Sequence, residues 1–288
     1  MLLYEHPLSS YAQKVKIALR EKGLKFDVET PQGLGSGNST GAFAASSPRL
    51  EVPTLIDGPA RIFDSTIILE YLEDKHPSPP LLPRDPAARA EARMIEDLCD
   101  TLYEAINWGL GEIRWFKRAE GKQADDMTAK AAAQTRQLLD WLTERLGDKE
   151  WFGGTTFGWA DLSVAPYLNR SVHYGIGPLE GSPLKAWHTR LCARPSVAAT
   201  FEEFDRFETE EEDAAAQAQA AKGGGNGRGF NMTPEQQKQM DAIRNNKNLT
   251  PEQQRAEIAK LFPNMGGGRG QGGGRTGGRN GQGATGNT

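Results

Sequence analysis

Residues 2–26, LLYEHPLSSYAQKVKIALREKGLKF, spell out a short strand, a tight turn and an amphipathic helix, and the reading of every later segment depends on them. Leu2, Leu3 and Tyr4 suit a buried strand. Pro7 stops it, because proline fixes φ and has no N–H for the ladder. Beyond the turn, Ala12, Val15, Ile17, Ala18 and Leu19 recur near the 3.6-residue period. They predict one apolar helix face, with Lys14, Lys16, Arg20 and Glu21 expected to face water. Gly23 is a natural left-handed C-cap. Ser9 and Ser10 therefore fall between a strand end and a helix N-terminus, where unpaired N–H groups and the helix dipole favour an anion or a thiolate. Either serine is equally well read as the helix N-cap, a role worth about 1 kcal/mol. The chain has no G-x-S-x-G elbow and no Ser-His-Asp spacing, which argues against a serine hydrolase.

The 288 residues suffice for one large or two ordinary domains. Charge is unevenly placed. Residues 214–288 carry 10 Lys+Arg against 4 Asp+Glu, a net of +6, and residues 1–213 carry 24 against 34, a net of −10. An acidic body argues against nucleic-acid binding by the folded part and leaves it open for the basic tail. Cys99 and Cys192 are the only cysteines and form no C-x-x-C pair, so neither a disulfide framework nor a zinc site is suggested. His6, His76, His173 and His188 show no metal spacing. With no signal-peptide pattern and no 18-residue apolar stretch, a soluble cytoplasmic protein away from membranes is expected.

Along the chain, residues 26–29 suit a second strand. Residues 32–47, rich in Gly, Ser and Asn, suit a loop with a helical turn near 42–45. EVPTLIDGPARIF then gives an antiparallel hairpin around Asp57-Gly58. Val52-Pro53 opens it, with the proline either an ordinary strand starter or a cis peptide. Asp64-Ser65 caps the helix STIILEYLEDKH, which His76-Pro77 ends. A proline-rich linker, 78–84, leads to an all-helical part, 85–208. Its expected helices cover 85–119, 125–146, the apolar FGWADLSVAPYL segment, 183–193 and 195–207. The remainder, 209–288, is a low-complexity tail. Two copies of T-P-E-Q-Q in it carry a capping-box pattern and predict short helices near 233–245 and 250–262. The Gly/Arg/Asn-rich stretches around them are expected to be disordered.

Four segments taken together, SSYAQKVKIALREKG, EVPTLIDG, FDSTIILEYLE and FGWADLSVAPYL with RPSVAATF, make residues 1–208 similar to a soluble glutathione transferase of the serine or cysteine type. The resemblance implies a thioredoxin-like glutathione-binding domain over 1–77 (α/β), followed by an all-α domain. Glutathione is then the co-substrate and no metal is required. Ser9, with Ser10 as the neighbour able to replace it, would donate a hydrogen bond to the glutathione sulfur. Glu51, Val52, Pro53, Asp64 and Ser65 would form the tripeptide site. In it, Val52 offers its backbone groups with Pro53 cis, Asp64 meets the ammonium, and Ser65 with its helix N-terminus meets the carboxylate. Tyr11, Tyr103, Trp108, Trp115 and Phe116 are the candidates to line a second site for a small hydrophobic electrophile. Two positions depart from the pattern. Glu51 stands where Lys or Gln is usual and would repel the glycyl carboxylate if it pointed inward, and Gly158 replaces the usual Ser/Thr helix cap three residues before Asp161. The expected function is conjugation, or a related isomerase, lyase or dehalogenase reaction, by a homodimer. The alternatives are a non-catalytic binding or regulatory protein of this fold and an adaptor that binds RNA through its Arg-Gly tail.

Overall fold

The computed structural model describes residues 1–222, with side chains through residue 209, and beyond them residues 238, 239, 242, 243, 246, 253 and 257. By contacts the chain divides into the units Met1–Ala218 and Gln219–Thr288.

The first unit begins with a four-stranded sheet in the order β2-β1-β3-β4. β1 (Leu2–Tyr4) runs parallel to β2 (Asp27–Glu29) and antiparallel to β3 (Thr54–Asp57), which turns through Asp57-Gly58 into β4 (Ala60–Phe63). Leu3 pairs with Leu55 at the sheet centre, and both are wholly buried. α1 (Ser10–Glu21) and α3 (Ser65–Lys75) cover this sheet, with Val15, Leu19, Ile68 and Leu72 closing a small apolar core. α1 ends as its sequence predicts: Gly23 has φ +65°, and Gly23 N and Leu24 N return to the carbonyls of Arg20 and Leu19. α2 (Gly41–Ser46) lies in the Gly/Ser-rich connection.

The helical part is built around α7 (Trp159–His173), buried on all sides from Trp159 to Ser171. α4 (Pro86–Leu98), α6 (Gly121–Leu146), α8 (Pro183–Cys192) and α9 (Pro195–Lys222) complete it. Gly158 has a physical reason to be glycine. Trp159 N donates to Leu81 O at 2.9 Å, and a Cβ on Gly158 would sit 2.8 Å from that same oxygen. Asp161 supplies the cap instead, accepting from Gly158 N, Phe152 N and Trp187 Nε1 at 2.8–3.0 Å.

Three expectations are corrected. The helix expected over 85–119 is a broken rod: α4 passes through a π-helical turn, Cys99–Tyr103, into α5 (Glu104–Arg114). The helix expected over 195–207 continues to Lys222. Most consequentially, Lys14 and Lys16 do not face water. Lys14 is 0% and Lys16 1% exposed, because α1 is clamped between the sheet and the second domain rather than lying on a surface. Lys14 Nζ meets Glu96 at 2.7 Å and Asp100 at 2.6 Å, and Lys16 Nζ meets Glu5 and Glu203 at 2.9 Å. Arg20 also pairs with Glu203, and Glu21 with Arg194. Beyond Lys222, the described residues other than Asn246 are helical and lie within 233–245 and 250–262. The other tail expectations fall outside the described residues. No helix among the described residues is long and apolar enough to cross a membrane.

A buried ion pair that loses one member leaves the other charge without solvent or partner. Lys14→Met is therefore expected to destabilise the fold by about 3–5 kcal/mol. Lys122→Met, which breaks the exposed 2.7 Å pair with Asp126, should change stability by less than about 0.5 kcal/mol. Denaturant unfolding of the two variants checks this, and equal, small losses would contradict the clamp.

Candidate functional site

The turn before α1 is fixed by its backbone: Ser9 N donates to His6 O at 2.8 Å and Leu8 N to His6 Nδ1 at 3.2 Å. Ser9 is the N-cap of α1, in extended conformation, and its Oγ accepts from Ala12 N at 3.3 Å. A hydroxyl that accepts in this way keeps its proton for another partner. Ser10, one residue on, turns inward and is fully buried. The structure thus separates two serines that the sequence left equivalent.

The second helix N-terminus is that of α3. Asp64 caps it, Oδ1 accepting from Thr66 N at 3.0 Å and Ile67 N at 3.4 Å, and Ser65 is its first residue. Asp64 has φ +75°, where an L side chain is strained by roughly 1–3 kcal/mol, and such strain concentrates at functional positions. Between the helices, Val52-Pro53 is cis. Val52 precedes β3, whose first ladder pair is Tyr4 with Thr54, so its backbone groups lie outside the ladder. Glu51 points outward, its side chain 70% exposed, and Arg49 Nη1 stands 3.9 Å from it and 3.5 Å from Asp64 Oδ2. Arg49 leaves no mark of its own in the sequence, because Leu50, between it and Glu51, has φ +54° and breaks any extended alternation.

Both helix ends are tied to one buried cluster. Glu96 accepts from Lys14 Nζ at 2.7 Å, Thr66 Oγ1 at 2.9 Å and Trp159 Nε1 at 2.5 Å. Asp100 accepts from Lys14 Nζ at 2.6 Å and Tyr167 OH at 2.5 Å, and its backbone carbonyl accepts from Tyr11 OH at 2.7 Å. Tyr11 is half-buried, and burial together with Glu104 and Asp100 holds its hydroxyl protonated, well above the usual tyrosine range. On the other side of the turn, the Arg170 guanidinium donates to Leu8 O and lies 3.1 Å from Glu104.

The aromatic candidates divide. Tyr103 is a correction: it has no exposed surface, shares a 2.6 Å hydrogen bond with Ser171, and stacks on Tyr167 inside the helical core. Trp108 and Phe116 are exposed, 52% and 55%, with ring centroids 6.4 Å apart. Trp115 packs on Tyr174 at 5.8 Å and over Gly111, where a Cβ would meet it at 2.9 Å. Glu104, Trp108, Gly111 and Trp115 follow each other at three- and four-residue steps and so share one stripe of α5. Among the described residues no group of His, Cys, Asp and Glu could hold a metal ion.

Residues 3–80 match the glutathione S-transferase N-terminal domain and residues 107–195 the glutathione S-transferase C-terminal domain. Glutathione S-transferase U28 of Arabidopsis thaliana is 31% identical over 206 residues, 69% of this chain and 87% of that protein. A stringent starvation protein A homologue of Coxiella burnetii is 30% identical over 205 residues, 70% of this chain and 92% of that protein. Among solved structures, a glutathione S-transferase of Methylobacterium radiotolerans in complex with glutathione sulfonate is similar with a TM-score of 0.55 and 31% identity, covering 69% of this chain and 93% of that one. With both domains matched in order and the sheet, the two helix N-termini and the helical part arranged as described, the chain belongs to the glutathione S-transferase family.

Proposed function

We propose that this protein binds glutathione across the two helix N-termini, holds its sulfur as a thiolate at Ser9, and delivers it to a small hydrophobic electrophile. The observation that carries the reading is the Ser9 hydroxyl, fixed at a helix N-cap by an accepted bond and left with its proton free to donate. A cysteine-type thiol titrates near 8.5, and lowering that by two units requires about 2.7 kcal/mol of preferential thiolate stabilisation. A hydroxyl donor and the positive end of α1 both act on the charged form only, so they supply stabilisation of that kind. Ser9 acts as a donor and forms no covalent bond.

The tripeptide ends fall to other groups. Asp64 meets the α-ammonium, the N-terminus of α3 with Ser65 meets the γ-glutamyl carboxylate, and the Val52 backbone pairs with the cysteinyl unit. Arg49 supplies the cation that Glu51 does not. Its loose contacts with Glu51 and Asp64 leave the guanidinium able to take the glycyl carboxylate in a forked pair. Trp108, Trp115 and Phe116, with Tyr11 at the base, offer the apolar surface for the second substrate. A homodimer completes the reading. Its support is that Ile67 of α3, Met94 of α4 and Leu102 of the π-turn are large apolar side chains left exposed.

A second reading has its own support. The similarity to a stringent starvation protein A homologue, whose name is not that of a transferase, extends over nearly all of that protein. On this reading the fold binds a partner and Ser9 is a cap alone.

Ser9→Ala separates the two. As an enzyme, the variant should bind glutathione almost as tightly by calorimetry, because the charged ends are held elsewhere. It should also lose about 1.5–3 kcal/mol of thiolate stabilisation. The bound thiol then titrates about one to two pH units higher by ultraviolet absorbance, and turnover recovers in part as pH rises. Unchanged titration and rate in Ser9→Ala would remove Ser9 as the donor, whereas a wild type that binds glutathione without turnover would leave the binding-protein reading standing. Arg49→Ala should do the opposite, raising KM for glutathione about tenfold, as one lost charge-assisted contact does, while kcat holds. A fall in kcat at unchanged KM would remove Arg49 from the tripeptide site.

A further inference from the structure

A charged side chain inside α7, the helix buried on all sides, is costly unless its charge is matched and its donors are used. Arg170 is such a residue, 3% exposed, and its guanidinium works as a fork. One arm, Nη1, lies 3.1 Å from Glu104 Oε1 of α5, and the other, Nη2, donates to the Leu8 carbonyl in the turn before α1. Glu104 is buried too, so each member of the pair fixes the other.

The peptide unit between Leu8 and Ser9 is therefore held at both ends. Its N–H, on Ser9, donates to His6 O at 2.8 Å within the turn, and its carbonyl accepts from Arg170 in the helical part. The far side of Ser9 is held as well, since Gln13 N donates to Ser9 O at 2.9 Å and Ala12 N to Ser9 Oγ at 3.3 Å. A peptide unit is planar, so a plane fixed on one side of the Ser9 Cα and a helix fixed on the other hold its φ and ψ, which stand at −77° and 112°. The bond from which Oγ projects then has one direction.

We propose that Arg170 is a positioning residue for the thiolate: it reaches from the helical part to the Leu8–Ser9 peptide and sets the direction in which the Ser9 hydroxyl meets the sulfur. The inference rests on the glutathione-thiolate reading and adds to it the side chain that aims the donor. Hydrogen bonds weaken steeply as they bend, so a tilted hydroxyl stabilises the thiolate less, while the charged ends of the tripeptide keep their own partners. The task suits arginine and not lysine. A planar fork serves a carboxylate and a carbonyl at once in a fixed geometry, whereas an ammonium is a point charge on a flexible stem. Paired with Glu104, Arg170 acts on the sulfur through Ser9 and not through its own charge.

The experiment follows the bound thiol of glutathione by ultraviolet difference absorbance in the full-length protein, with calorimetry for affinity. Tyr11 and Tyr174 lie beside the pair, and burial holds both hydroxyls neutral, well above the ordinary tyrosine range, so they add no signal where the thiol titrates. Arg170→Lys keeps a cation for Glu104 and gives up the fork. It should raise the titration of the bound thiol by about one pH unit, a tenfold change in its ionisation constant. At neutral pH kcat should fall, recovering as pH rises, and the Kd measured below the titration, where glutathione binds as the thiol, should not change. In the Ser9→Ala background the same Arg170→Lys change should add nothing, because the hydroxyl it aims is gone. A titration unmoved by Arg170→Lys in the protein that retains Ser9 overturns the inference. So does a full shift that persists in Ser9→Ala, since the guanidinium would then act by its charge. If Arg170→Lys does not fold, the paired change Arg170→Met with Glu104→Met, which leaves no buried charge without a partner, is read in the same way. A wild type whose bound thiol titrates no lower than about 8.5, as a free thiol does, removes the thiolate reading and the inference with it; the other results leave that reading in place.

Discussion

A lysine ammonium with no exposure to water governs this structure. Removing an ion of that size from solvent costs several kcal/mol, and only close, well-directed opposite charges offset it. Lys14 meets that demand with Glu96 and Asp100, both from the helical part, so α1 holds its place only when the second domain is docked against it. The same logic repeats along the helix. Lys16 is paired to Glu5 and Glu203, Lys22 to Glu73, and Glu21 to Arg194. Apolar contacts with the sheet fix the height of α1, and these pairs fix its rotation and its position along its axis. The direction in which Ser9 presents its hydroxyl follows from that.

The two helix N-termini that would grip a tripeptide are not independent. Thr66, in the first turn of α3, reaches the same Glu96 that holds Lys14. The distance between the Ser9 end and the Asp64 end is therefore set by carboxylates of the helical domain, although both ends belong to the sheet domain. This explains how the strained Asp64 backbone persists: its carboxylate caps α3 and α3 is anchored from behind, so the unfavourable φ is held by its neighbours.

The fold was legible wherever apolar periodicity or turn chemistry acts over a few residues. β1, the cap at Gly23, the Asp57-Gly58 hairpin, the Asp64 cap and the apolar α7 all stand in the sequence. The buried charges were not legible, because Lys14 and Lys16 occupy the helical positions that solvent-facing lysines also occupy, and Glu96 lies 82 residues away. Tyr103 was misplaced for a related reason. An aromatic on a helix next to a cleft is read alike whether it lines the cleft or the core, and Tyr103 is wholly buried in the core. Arg170 and Glu104 left no local mark either, since each is defined by what the other element brings to it. Arg49 was readable only once Glu51 was known to point outward.

The π-turn at Cys99–Tyr103 gives α4 and α5 different phases on what is otherwise one continuous rod. An α-helix advances about 100° per residue. Closing the bulge by one residue would swing Glu104, Trp108, Gly111 and Trp115 about a quarter of a turn around the axis while leaving α4 in its seat. The packing of α5 opposes that swing, because Ile106, Asn107 and Leu110 of the same helix are buried and would leave the core with it. Chain length in the π-turn thus sets the phase of every α5 side chain at once, whereas a point substitution along α5 alters one.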